Sequence, residues 1–140
     1  MLNGEIVRRI DDAIAAYERA NRRLAELVNS DARTVTDPYW GREEAMVFGI
    51  WLRSTSFLAG SRNALTVRNI RPILASYERA CESVINYARR GVPTAAQFIL
   101  DGEMTTLFAL LCEAMLEWRR ECVRHPMSSK PSGRRVALAC

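Results

Sequence analysis

Histidine and lysine each occur once, at positions 125 and 130. One histidine, set beside Pro126 where a helix should fray, leaves no Ser-His-Asp or Cys-His set to assemble around it. Cys112, Cys122, His125 and Cys140 are metal-ligand types, but their spacing matches no zinc pattern. No glycine-rich phosphate loop is present, and Asp101-Gly102-Glu103 alone signals nothing. The adjacent carboxylates Asp11-Asp12 and Glu43-Glu44 would point about 100° apart on a helix, so neither couple is an acid–base pair. These absences argue against an enzyme and against a cofactor or metal.

Long apolar runs are also missing. No stretch approaches the roughly 18 residues of a membrane span, and the opening MLNGEIVRR has no apolar signal core. A cytoplasmic chain is expected. Its four cysteines (Cys81, Cys112, Cys122, Cys140), with no C-x-x-C among them, should then be reduced thiols. The basic residues other than Lys130 are all arginine, a hint of a GC-rich, bacterial or phage genome.

What is present is a chain of 140 residues, 49% hydrophobic, enough for one domain with a real core and too short for two. The net charge of +4 is a tail property. Residues 119–140 carry six basic side chains against Glu121, whereas residues 1–118 carry fourteen basic and fifteen acidic. A basic groove across the fold is therefore not expected.

Periodicity predicts helices. Ile6, Ile10, Ala13, Ile14, Tyr17, Leu24, Leu27 and Val28 form one stripe over 5–28. Asp37-Pro38 has the form of an N-cap followed by the first helical residue. The segment 45–58 is apolar around most of its circumference, predicting a central helix that ends at Gly60. Gly49 within it suits a close helix approach. Pro72 predicts a third helix either capped at Asn69 or starting near Asn63 with a kink. Arg89-Arg90-Gly91 is its stop signal. Thr94-Ala95-Ala96-Gln97 has a capping-box pattern, Asp101-Gly102 is a candidate interruption, and Met104 to Trp118 is periodic again. Pro126 ends that pattern, and 126–140 should be a disordered basic tail.

Residues 7–20 (VRRIDDAIAAYERA) match residues 67–80 (VRNIRPILASYERA) at eight of fourteen positions. At the same offset of 60, Thr34, Glu43 and Phe48 align with Thr94, Glu103 and Phe108. A lone helical hairpin cannot bury its apolar face, so duplication followed by packing of the copies is the natural outcome. The expected fold is all-α: a four-helix bundle over 1–125, built from tandem hairpins at about 5–60 and 65–124 with internal pseudo-two-fold symmetry. Within the repeat, Val7/Val67, Ile10/Ile70 and Tyr17/Tyr77 belong to the core stripe. Glu18/Glu78 and Arg19/Arg79 lie off it, suited either to crossed pairing between copies or to two equivalent binding faces.

Binding is the better-supported activity. Tyr39, Trp40 and Arg42 at a loop-to-helix junction are residue types that dominate interface hot spots, though the aromatic pair would serve equally as a core cap. Arg119, Arg120, Arg124, Lys130, Arg134 and Arg135 form a basic run able to meet phosphates or an acidic protein surface, or simply to be solvated. The expected function is a non-enzymatic regulator or inhibitor that docks on a larger protein or nucleoprotein assembly, by class analogy with accessory proteins such as anti-CRISPR inhibitors. A nucleic-acid-binding regulator using the basic tail and a secretion-type chaperone are the alternatives, and an apolar face on the second helix leaves homodimerisation open.

Overall fold

The computed structural model describes residues 3–29, 42–54 and 63–124, and all of these except Asn63, Arg90, Gly91 and Val92 are helical. The helices are α1 (Asn3–Asn29), α2 (Arg42–Ser54), α3 (Ala64–Arg89), α4 (Pro93–Ile99) and α5 (Thr105–Arg124), with a π turn over Leu100–Met104 joining the last two into one rod. Asn3 lies beside Cys122 and Asp11 beside Arg119, so α1 and α5 are antiparallel. Arg19 meets Glu44 and Arg9 lies over Trp51, while Arg42 meets Glu82 and Arg71 reaches Leu52 O, so α2 runs antiparallel to both α1 and α3. The four rods therefore alternate in direction, the up-down arrangement of a helix bundle.

The stripe on α1 is buried as its spacing predicts: Ile6, Ile10, Tyr17 and Leu24 are within 1% of full burial. Their counterparts on α3 include Ile70, Tyr77 and Val84. Tyr17 and Tyr77 meet edge to face at 5.3 Å, and Phe108 of α5 lies 5.9 Å from Tyr77. One end of the bundle is closed by Trp51 stacked on Trp118 at 6.2 Å, with the Arg9 guanidinium 5.5 Å above Trp51. The buried Trp118 indole donates to Asn63 Oδ1 at 2.9 Å, so its polar atom is satisfied. Burying side chains of this size contributes about 1.5–3 kcal/mol each relative to exposure.

Several boundaries differ from the sequence expectation, each for a local reason. Of the two starts the sequence left open, helix α3 takes the earlier one, at Ala64 after Asn63, and carries Pro72 in its interior. Pro72 is exposed, where water can serve the Arg68 carbonyl that loses its donor. No capping box forms at Thr94. Val92 is the cap residue, Pro93 takes the first turn, and Gln97 donates forward to Asp101 at 2.9 Å. The stop at Gly91 is as expected. Its φ of 80° lets its N–H reach Ala88 O at 3.1 Å and the Val92 N–H reach Tyr87 O at 2.9 Å. The interruption expected at Asp101-Gly102 takes the form of the π turn. There the Thr105 hydroxyl donates to Leu100 O at 2.5 Å.

Helix α2 is not central. Ala45, Phe48, Gly49, Trp51 and Leu52 face the core, but Val47 and Ile50 are 50% and 56% exposed. Its C-terminal end is held by the Arg71 guanidinium on Leu52 O at 2.8 Å. Gly49 does permit a close approach, since a Cβ there would lie 2.9 Å from Glu78 Oε2 and 3.3 Å from Leu74 Cδ2. The Asp37-Pro38 start, the Gly60 stop and the tail 126–140 lie outside the described residues.

Candidate functional site

The arginines singled out in the sequence turn out to bind their own neighbours. Arg19 of α1 pairs with Glu44 of α2 at 2.9 Å, and Arg42 of α2 with Glu82 of α3 at 2.8 Å. Arg119 of α5 grips Asp11 of α1 with two nitrogens, at 2.8 and 3.2 Å. These pairs are exposed and screened, so they orient adjacent helices more than they stabilise them. The crossed pairing between copies is not made: Arg79 donates to Ser76 Oγ at 3.0 Å, and Arg19 goes to Glu44. Exposed position, and not repeat symmetry, decides which carboxylate each arginine reaches.

The described part of the basic run is compensated. Arg120 pairs with Glu117 at 2.5 Å and Arg124 with Glu121 at 3.2 Å, alongside the Arg119–Asp11 grip. The Arg120 guanidinium holds the Glu117 carboxyl below its usual range, and Asp11 raises Arg119. Each shift favours the ionised form, of Glu117 in one pair and of Arg119 in the other. Tyr39, Trp40, Lys130, Arg134 and Arg135 lie outside the described residues.

A shallow cleft of about 180 Å³ lies between α1 and α2. Ala13 and Ala16 on α1 and Phe48 on α2 make an apolar floor, and Arg9, Asp12, Arg19 and Glu44 supply a rim of both signs. The two alanines create the hollow, because their side chains stop short of the facing helix. Val47 lies at its edge, and Ile50 continues the apolar surface one turn along α2. Of the sequence candidates, only Arg19 is brought to this cleft.

Between α1 and α3, polar side-chain atoms are buried. The Tyr77 hydroxyl donates to Asn21 Oδ1 at 2.6 Å, whereas the Tyr17 hydroxyl and Glu78 Oε2 are buried with no hydrogen-bond partner among the described residues. Burial raises the pKa of both tyrosines, and the Glu78 charge adds to the effect on Tyr17. Burial also raises Glu78, opposed by the charges of Arg53 and Arg42 and reinforced by Glu82. The Cys81 thiol is pushed up to about 12, chiefly by burial. A thiol held protonated in this way is a poor nucleophile, and neither Cys81 nor Cys112 is in a disulfide.

Sequence reading overlooked Val47 and Ile50 as surface because an apolar helix of α2's composition normally sits inside. Their signal was available: with Ala45, Phe48 and Leu52 on one face, positions 47 and 50 fall on the other. The chain matches no protein-family model, and neither a curated protein nor a solved structure shows significant similarity to it.

Proposed function

We propose that this chain is a non-enzymatic protein-binding module that regulates or inhibits a larger assembly by docking on it through the α1–α2 cleft and the adjoining face of α2. One observation carries the reading: Val47 and Ile50, about half exposed, extend the apolar floor of a cleft whose rim mixes charges of both signs. An apolar centre inside a polar rim is the anatomy of a protein interface. Arg9 and Asp12 on the rim present one charge of each sign to a partner, beside the internally paired Arg19 and Glu44. The compensated arginines of α5 favour this reading over nucleic acid, since a phosphate would have to displace a carboxylate from each. The proposed duplication of a helical hairpin accounts for the scaffold. It is supported by the burial of Ile10 with Ile70, Tyr17 with Tyr77 and Ala20 with Ala80.

The test is affinity capture from the native cell with the wild-type chain and a Val47→Glu/Ile50→Glu variant, with and without nuclease. Both residues are exposed, so the variant should keep its helical circular dichroism while losing a nuclease-resistant partner. A folded variant that captures the same partner would remove α2 from the interface. Partners lost with nuclease from the wild type would favour nucleic acid.

A further inference from the structure

A second cleft, of about 250 Å³, opens on the far side of α1 against the π turn. Its floor is apolar, made by Ala25, Leu100, Met104 and Phe108. Its polar groups are Asn21, Gln97, Asp101 and Thr105, among which Asp101 is the one charge. We propose that this cleft binds a primary alkylammonium group, with the chain of methylenes on the floor and the cation at Asp101.

The hydrogen bonds already made decide the polarity of the cleft. Thr105 spends its proton on Leu100 O, so its hydroxyl offers only lone pairs. Gln97 occupies Asp101 Oδ1, leaving Oδ2 as the acceptor facing a ligand. Asn21 has its oxygen engaged by the Tyr77 hydroxyl and presents its NH₂ group as a donor, so the cation belongs at the other end. An anion would meet a carboxylate and lone pairs; a cation finds complementary groups.

The class of cation follows from the same list. Hard metal ions require several oxygen ligands, and this cleft has one carboxylate. Among the described residues no three His, Cys, Asp or Glu side chains converge on a metal site. A guanidinium seeks both oxygens of a carboxylate in a planar fork, and Gln97 holds one of them. An ammonium needs no fork: its three rotatable donors can be shared between Asp101 Oδ2, Thr105 Oγ1 and water. A methylene stem fits an apolar floor, as lysine stems do on protein surfaces, and Phe108 is part of that floor. This site is separate from the α1–α2 cleft and does not depend on its role.

The experiment is a titration of the full-length ¹⁵N-labelled protein with n-butylammonium chloride, at ionic strength held constant with sodium chloride. Saturable shifts are expected at Asn21, Leu100, Asp101, Thr105 and Phe108, with a Kd on the order of 1–10 mM for so small a ligand. Asp101→Asn, an exposed change that should leave the melting temperature in place, should weaken binding about tenfold. Absence of saturable shifts in the cleft, equal affinity in Asp101→Asn, or equal binding of n-butylguanidinium would each overturn the proposal. Nα-acetyl-lysine methylamide separates the two sources of the group. Tighter binding than n-butylammonium would identify a lysine of a partner protein; equal or weaker binding would identify a free amine.

Discussion

Tyr17 and Tyr77 occupy matching places in the repeat, are equally buried and touch each other, yet removing their hydroxyls should have different consequences. The Tyr77 hydroxyl donates to Asn21 at 2.6 Å, and the Tyr17 hydroxyl has no partner among the described residues. Tyr77→Phe forfeits a hydrogen bond and strands a half-buried amide oxygen, at a cost of about 1–2 kcal/mol. Tyr17→Phe removes a buried polar atom whose desolvation is uncompensated, a penalty of about 1–3 kcal/mol in the parent chain, offset partly by the small void the oxygen leaves. The net effect at Tyr17 should be between zero and about 1 kcal/mol of stabilisation. The two variants should therefore differ by about 1–3 kcal/mol, or roughly 3–10 °C in melting temperature for a chain of this size.

Urea denaturation followed by circular dichroism measures this directly, provided both variants keep the parent m-value. If Tyr17→Phe proves as destabilised as Tyr77→Phe, the Tyr17 hydroxyl is satisfied, and a water between it and Glu78 is the candidate. A double-mutant cycle with Glu78→Gln decides that case, because a bridging water would couple the two changes while isolated groups would add.

Gly102 has nothing within 4 Å of an added Cβ, so Gly102→Ala should gain about 0.5–1 kcal/mol from helix propensity. Gly49→Ala brings the same propensity but sets its methyl against Glu78 Oε2 and Leu74 Cδ2. It should fall short of Gly102→Ala by about 1 kcal/mol in the same urea assay. Glu78 supplies a pH test. Its folded-state pKa is raised, so the folded chain holds a proton that the unfolded chain releases first. Stability should then decline as pH rises from the ordinary glutamate value, about 4.3, to the folded value. Below that window both states are protonated and the penalty is absent. Glu78→Gln should remove this component, so the parent-minus-variant stability difference across pH 4–7 isolates it; a flat difference would refute the raised value.

Much of the helical fold was legible because local rules and burial agree. The α1 stripe, the Gly91 stop and the tyrosine core all follow from spacing and backbone freedom. Readings failed where one residue served two rules. Thr94 and Gln97 have capping-box spacing, but Pro93 beside them already fits the first turn, and Gln97 reaches forward to Asp101. Pro72 left the start of α3 open between Asn69 and Asn63, and its exposed position lets the helix begin at the earlier point and run through it. The ion pairs were hidden for a different reason. Whether Arg19 reaches Glu44 or Glu78 depends on the rotation of three helices, which no single periodicity encodes. The α2 surface was concealed by composition, since its apolar residues serve both a core face and an exposed one.

The inequality of the two tyrosines has its own reading in the repeat. At the offset of 60, Asn21 aligns with Cys81. Asn21 accepts the Tyr77 hydroxyl, so under the proposed duplication the symmetric acceptor for Tyr17 would be the side chain at position 81. That position holds a thiol, a weak acceptor; the pKa of Tyr17 is raised chiefly by burial, then by Glu78, with Cys81 adding to it. One copy has a polar side chain that accepts its neighbour's tyrosine, and the other carries a buried thiol that hydrogen-bonds Tyr77 on its own helix and leaves Tyr17 without a partner among the described residues. The consequence reaches both clefts. The Tyr77–Asn21 bond fixes which end of the Asn21 amide faces the π-turn cleft. The unpartnered Tyr17 and Glu78 atoms lie under α2, where Gly49 lets the helix close over them. A difference in stability between Tyr17→Phe and Tyr77→Phe would thus measure how far two copies of one helix have diverged, one toward holding a polar site open and the other toward closing the core.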